Sequence, residues 1–217
     1  MKIIESSFEI LEPKNLIAGI ELLRKIEKLA RISHRSEDRQ TDDSYDRFLR
    51  FVVMSKGDWS VVEHASATVI FRVDRGVTHE LVRHRLFSFT QESTRFVNYK
   101  KKGEIEFIRP DGISLSSVGW LDSLEHAEKG YLALLETGYS PQIARSVLPN
   151  ALASTIAVTG NLRNWRAFFL QRVTKEAHPD FRRVVLPLLV EFQNRIPILY
   201  EDIKPEIHQI ESLSRPR

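Results

Sequence analysis

Ala65-Ser66-Ala67-Thr68-Val69-Ile70-Phe71-Arg72-Val73-Asp74 is the stretch that decides how the chain folds. Ala65, Ala67, Val69, Phe71 and Val73 alternate with Ser66, Thr68, Ile70, Arg72 and Asp74. A period of two sends successive side chains to opposite faces, so the stretch predicts a strand. Arg75-Gly76 turns the chain, and Val77 to Arg85 reads as a helix. The end of that helix carries a dense cluster, Arg83-His84-Arg85-Leu86-Phe87-Ser88-Phe89-Thr90-Gln91-Glu92-Ser93-Thr94-Arg95. Arg83 and Arg85 stand two positions apart, so on a helix they point to different sides and reach two ligands or two parts of one.

Upstream, Ile3 to Leu11 is an apolar-rich run that predicts a strand ended by Glu12-Pro13. Asn15 is placed to cap a helix in which Leu16, Ile20, Leu23, Ile26 and Ala30 recur at helical spacing. Arg35 to Asp43 reads as a loop, followed by an amphipathic helix with Tyr45, Phe48 and Val52 on one face, broken at Ser55 to Ser60. Downstream, Phe96 to Phe107 is predicted extended with a turn at Lys100-Lys101-Lys102-Gly103, and Pro110 to Ser117 is loop. Trp120 to Thr137 is helical, and Ser140-Pro141 starts a short helix carrying Arg145, since proline suits the first helical position. Leu152 to Thr159 alternates as a second strand, and Asn161 caps a helix with an apolar stripe at Leu162, Trp165, Phe168 and Phe169. Arg172 lies four residues past Phe168 and points from that apolar face, where a guanidinium is costly unless an acceptor meets it. Beyond a break at Pro179, Phe181 to Ile196 is a last helix, and the tail past Ile207 frays.

The 217 residues suit one domain, 1–217, with 42% hydrophobic and 28% charged residues to build a core. Helices and strands mix without regular βαβ alternation, and neither a Gly-x-Gly-x-x-Gly turn nor a Walker loop is present. There are no cysteines, which excludes thiolate nucleophiles and Cys-based zinc sites and fits a cytoplasmic protein. The N-terminus reaches Glu5 too soon for a signal-peptide apolar region, and no apolar run approaches a membrane span of ~18 residues. No histidine pair has metal-ligand spacing, so no metal is expected.

A formal net charge of +3 attracts phosphates without demanding a nucleic-acid partner. Arg83, Arg85, Arg95, Arg145 and Arg172 are candidate forks for phosphate, carboxylate or a carbonyl-rich ring, and Ser88 and Ser93 offer hydroxyls. Ser93 with His84 as base and Glu80 behind it is a conceivable triad; a ligand-binding serine is the plainer reading. The residues alone lead to a mixed α/β protein that binds a phosphorylated, hydrogen-bonding ligand.

Arg83-His84-Arg85, seven residues, Ser93 and then Thr94-Arg95 resembles the Arg-His-Arg-x7-Ser signature of the flavin-dependent thymidylate synthases. The resemblance extends to Ala30-Arg31-Ile32-Ser33, Ser60 to His64, Ala144 to Pro149, Asn161-Leu162-Arg163, and Arg172 followed by Ala177. It implies a mixed α+β fold with helices around a largely antiparallel sheet, and a homotetramer with sites at subunit interfaces. It implies methylation of deoxyuridylate (dUMP) to thymidylate, with 5,10-methylenetetrahydrofolate as carbon donor, FAD as hydride carrier and NADPH as reductant. The resemblance assigns Ser60, Arg83, His84, Arg85, Gln91, Asn161, Leu162 and Arg163 to FAD. It assigns Glu80, Leu81, Val82, Arg83, Gln91, Glu92, Ser93, Thr94, Arg95, Arg145 and Arg172 to dUMP, with Arg172 catalytic against the uracil ring. The chain departs from common family patterns at Asp58-Trp59, Thr90, Phe96 and Ala167. A flavin or nucleotide binder without turnover and a basic nucleic-acid module are the competing readings; a membrane role is not among them.

Overall fold

The computed structural model describes residues 1–205, and the alternating stretch is a nine-residue strand within it. In chain order the helices and strands are β1 (Lys2–Ile4), β2 (Ser7–Glu12), α1 (Leu16–Ile32), α2 (Ser44–Leu49), β3 (Ser66–Asp74), α3 (Arg75–Leu81), β4 (Ser88–Gln91), α4 (Tyr99–Lys102), β5 (Glu106–Ile108), α5 (Val118–Glu136), α6 (Pro141–Ala144), β6 (Ala153–Asn161), α7 (Leu162–Arg172) and α8 (Pro179–Arg195). The fold is mixed α/β. Backbone contacts group it into two units, one of Met1–Leu11 with Thr68–Gly160, the other of Glu12–Ala67 with the chain from Asn161 onward.

The first unit carries a four-stranded sheet in the order β2-β3-β6-β4. The period-two reading of β3 is met as far as Val73: Val69, Phe71 and Val73 are fully buried, while Ile70 and Arg72 are half-buried; Asp74, expected on the same face as Arg72, is buried where it caps the next helix. β4 runs antiparallel to β6, with Ser88 opposite Thr159 and Gln91 opposite Ile156. β1 and β5 pair in parallel as a separate two-stranded sheet. Beside them Tyr99, Ile105, Phe107, Leu124, Tyr131, Ala144 and Leu152 form a core of their own, with the Tyr99 and Tyr131 rings edge to face.

The second unit is helical. Asn15 caps α1 as expected, its side chain accepting from the Ala18 N–H at 3.0 Å. Its core is aromatic: Trp165, Phe168 and Phe169 of α7 meet Phe181 and Phe192 of α8 and Tyr200. Trp165 is fully buried and donates from its indole N–H to the Ala67 carbonyl at 3.1 Å. α8 continues through Pro187. An interior proline costs about 3 kcal/mol. The same helix buries Phe181, Val184, Val185, Leu188, Leu189 and Phe192, each worth roughly 1.5–3 kcal/mol, so packing overrides the break.

Several expectations are corrected. The Ile3 to Leu11 run is two strands, parted at Glu5-Ser6 and belonging to different sheets. The helix after β3 starts at Arg75, because the Asp74 side chain caps it, and it stops at Leu81. Arg83 to Arg85 therefore lie beyond the helix in successive turns, and the argument from helix sides does not apply to them. Ser88 to Gln91 is a strand that the cluster reading passed over. The lysine run is a helical turn capped by Asn98, not a turn between extended segments; Gly103 ends it at a φ of 115°. Past α2 the chain takes a π-helical stretch, Arg50–Ser55. That widening moves the fully buried positions to Leu49 and Val53, and Tyr45, Phe48 and Val52 are half-buried. Pro179 is the first residue of α8, not a break before it. The expectation for the tail past Ile207 falls outside the described residues.

Candidate active site

The Asp74 carboxylate accepts from the Val77 N–H at 2.8 Å and starts α3. Glu80 and Leu81 close that helix, and the Leu81 side chain is fully buried. Val82, Arg83 and Arg85 are exposed, and His84 is half-buried with its ring 6.1 Å from that of Phe87. Phe87 is the anchor of this turn. Its ring fills the space beside Gly160, where an added Cβ would come within 2.0 Å of it. Gly160 is therefore required by β6 to seat the turn that presents Arg83, His84 and Arg85.

Gln91, at the end of β4, donates through its amide nitrogen to the buried hydroxyls of Thr78 at 3.0 Å and Ser154 at 3.1 Å. Its amide oxygen is what it can offer a ligand. The Glu92 carboxylate accepts from Arg72 and from the Tyr99 hydroxyl, each at 2.8 Å. Arg72 also donates to Glu106 at 2.7 Å and Thr155 at 2.9 Å. Burial opposes the charge on Arg72, but the bonded Glu106 and Glu92 carboxylates outweigh it and hold the guanidinium above its ordinary range. Burial, then the hydrogen bond to Glu92, pushes the Tyr99 phenol upward. Glu92 is thus an anchor for the segment that follows it.

In that segment the Ser93 hydroxyl accepts from the Arg95 N–H at 3.3 Å. Buried Thr94 accepts from Arg145 at 2.9 Å, and Arg95 donates to Gln142 at 2.9 Å and lies over the Phe96 ring. Thr94 and Arg145 line a cleft of about 410 Å³ together with Arg75, Gln142, Ser146, Leu148 and Leu152. The first unit therefore brings Gln91, Glu92, Ser93, Thr94, Arg95 and Arg145 into one hydrogen-bonded region. Sequence reasoning missed Arg75, Gln142 and Ser146. Arg75 was legible as the residue after an aspartate cap, and Gln142 as part of the Ser140-Pro141 helix start.

The second unit holds Ser60, Asn161, Leu162, Arg163 and Arg172. Ser60 sits in 3₁₀ turns (Trp59–His64) and lines a cleft of about 810 Å³. Ala30, Arg31, Ser33, Phe48, Phe51, Lys56 and Asp58 are among the other walls. Arg31 is held there by fully buried Glu27 at 2.7 Å and stacks on the Phe48 ring, with Ser44 donating to the same carboxylate. Asn161 caps α7 by accepting from the Asn164 N–H at 2.8 Å. Leu162 is buried; its N–H donates to the Ala65 carbonyl, and its carbonyl accepts from the Tyr200 hydroxyl. Arg163 pairs with Glu63 at 2.6 Å. Arg172 is half-buried at the end of α7, its guanidinium 4.9 Å above the Phe181 ring, on the side that helical spacing indicates. Of the departing positions, Asp58 faces the larger cleft, while Thr90, Phe96 and Ala167 are exposed.

The family model described as "Thymidylate synthase complementing protein" matches residues 15–198, across both units. A flavin-dependent thymidylate synthase of Corynebacterium efficiens is 39% identical over 71% of this chain and 68% of its own length. That of Mycobacteroides abscessus is 35% identical over 75% of this chain and 70% of its own. The fold is shared with a UMP/dUMP methylase, PolB from Streptomyces cacaoi, solved with 5-Br dUMP, at a TM-score of 0.76 and 22% identity over 93% of this chain and 96% of that one. With the Arg-His-Arg turn, the Ser93 to Arg95 segment and Arg172 each placed, the chain belongs to the thymidylate synthase complementing protein family, the flavin-dependent thymidylate synthases.

Proposed function

We propose that the protein methylates dUMP to thymidylate, with methylenetetrahydrofolate as carbon donor, FAD as hydride carrier and NADPH as reductant. The observation that carries this is the joining of Gln91, Thr94, Arg95 and Arg145 beside a polar cleft, in a chain whose relatives are flavin-dependent thymidylate synthases. Gln91 to Arg95 and Arg145 take the nucleotide, with Glu80, Leu81, Val82 and Arg83 completing its contacts.

The residues present fit a flavin. The exposed guanidiniums of Arg83 and Arg85 have no carboxylate partner among the described residues, as an anionic pyrophosphate requires. The larger cleft has the size and aromatic walls of a cofactor site. Ser60, Arg83, His84, Arg85, Gln91, Asn161, Leu162 and Arg163 are the residues that would hold the flavin. When bound, the reduced flavin supplies hydride.

No cysteine exists to attack the uracil ring, so polarisation of the ring must activate it. Arg172 supplies the positive charge: it is directed by α7, rests on an aromatic face, and stabilises the anionic character of the uracil. Ser93 binds the nucleotide and does not form a covalent intermediate. A homotetramer with sites at subunit interfaces follows from the same family reading. Purified protein should be yellow, and should oxidise NADPH only when dUMP and methylenetetrahydrofolate are added, releasing thymidylate. A protein that takes up no added FAD, or binds FAD and makes no thymidylate, would overturn the reading.

A further inference from the structure

We propose that a cationic trough in the second unit, formed by Arg35, Arg39, Arg47 and Lys56, binds the oligo-γ-glutamate tail of the folate co-substrate. The inference rests on the reading of the protein as a folate-dependent thymidylate synthase. Two clefts adjoin here. The larger, of about 810 Å³, has Arg35, Arg39 and Lys56 on its walls. A second, of about 590 Å³, has Arg39 and Arg47. Phe48 and Phe51 wall both, so the two clefts form one trough. Its frame is pinned from below: fully buried Glu27 pairs with Arg31 at 2.7 Å and accepts from the Ser44 hydroxyl at 2.7 Å. Ser44 in turn accepts from the Thr41 N–H at 2.9 Å, which ties the loop between α1 and α2 to α1.

The exposed guanidiniums of Arg35, Arg39 and Arg47 make no hydrogen bond, ion pair or ring contact with any of the described residues. Lys56 lies over the Phe51 ring at 5.4 Å and has no carboxylate partner among them. Asp46, next to Arg47 in α2, pairs with Arg50 instead, at 3.2 Å. Asp58 is the one carboxylate on the walls of either cleft. The cations are also shared out along the trough: Arg35 and Lys56 line only the larger cleft, Arg47 only the second, and Arg39 both. A single phosphate calls for forks that converge on its oxygens. Cations set apart along a trough suit single negative charges set apart along a chain. A γ-linked oligoglutamate is such a chain, with one α-carboxylate per residue, and each carboxylate takes one fork or one ammonium. The aminobenzoyl ring from which the tail grows finds an apolar wall in Phe48 and Phe51, between the cations.

The test uses the full-length, flavin-loaded protein and its Arg47→Gln and Arg39→Gln/Arg47→Gln variants. Turnover is measured with monoglutamyl and pentaglutamyl methylenetetrahydrofolate, and binding of pteroylmonoglutamate and pteroylpentaglutamate by calorimetry. The unsubstituted protein should show a KM about tenfold or more lower for the pentaglutamyl form, an advantage that shrinks as salt is raised. Arg47→Gln should lose part of that advantage and the double variant most of it, with kcat and the monoglutamyl KM unchanged. Arg47→Lys, which keeps the charge, should recover part. An unsubstituted protein with no pentaglutamyl preference would overturn the proposal, as would a preference that survives the double variant. Equal losses for the two folates would mark the arginines as structural, and a raised KM for NADPH with the folate preference intact would give the trough to the dinucleotide; either result overturns the proposal. A protein that binds pteroylpentaglutamate in an Arg47-dependent way but makes no thymidylate would refute the enzyme reading and leave the trough standing. One that binds neither folate and makes no thymidylate would refute both.

Discussion

Arg172 and Glu92 differ in what holds them. Arg172 lies over the Phe181 ring, which helps to orient its guanidinium. Arg172→Ala should abolish thymidylate formation, by 10²-fold or more, while the flavin spectrum of the purified protein persists; near-normal turnover would remove it from the chemistry. Glu92 is bonded to Arg72 and Tyr99. Tyr99→Phe should cost about 1 kcal/mol of stability, one hydrogen bond, and loosen the Ser93 to Arg95 segment, raising KM for dUMP more than it lowers kcat. At this scale the sequence was partly readable. Arg172 was legible because helical spacing alone aims it at the apolar face. The anchoring of Gln91 by Ser154 was not, because 63 residues separate the partners and no local pattern records the pairing.

Between α1 and α8 the decisive residue is Gly19. A Cβ there would lie 1.6 Å from the Arg195 carbonyl oxygen. Alanine improves helix propensity by about 1 kcal/mol, but overpacking against rigid backbone costs about 3 kcal/mol or more. Gly19→Ala should therefore lower the melting temperature by roughly 5 °C, measured by calorimetry; a rise would show that the helices can part cheaply. The second unit also carries an acid-sensitive pair of contacts. The hydrogen bond from Arg50 holds the Glu201 carboxyl below its ordinary range, and that from Arg166 does the same for Asp202. Depressed carboxylates add stability above their unfolded range and lose it as pH falls through their lowered folded range. Both are substantially exposed, so the effect is modest. Melting scans from neutral to acidic pH should show a downward step in the carboxylate range that Glu201→Gln makes shallower. The major helices and the two long strands were legible from periodicity. β4 and α4 were not: four residues are too few to set a period, and β4 exists because β6 offers it an edge.

Across the whole molecule the two units are interleaved along the chain. The family model spans both, in keeping with one inherited body of sequence. That interleaving was not readable in advance, since hydrophobic periodicity says which face of an element is buried and not against which later element. No single cut leaves both units whole: a chain ending at Gly160 has all of the first unit and only the front part of the second. Stopping the chain at His178 removes α8 and should give an insoluble product, whereas the full chain stays in solution; a soluble, cooperatively melting fragment would show that α8 is dispensable.

The interleaving bears on how the protein is made. α1, with Leu23, Ile26 and Ala30 arranged as an apolar stripe, leaves the ribosome well before α8, whose Arg195 backbone it closes on. The turns of Trp59–His64 and α2 can reach α1 soon after it emerges, but the part of α1 around Gly19 lacks its native partner until α8 is made. A nascent chain in this interval is a natural client for chaperones that hold exposed apolar helices, and slowed elongation between Gly160 and α8 would lengthen the exposure. The yield of active protein in a cell would then depend on the speed at which the stretch between the two helices is translated, at ≈ 5–20 residues per second, as well as on the stability of the finished fold.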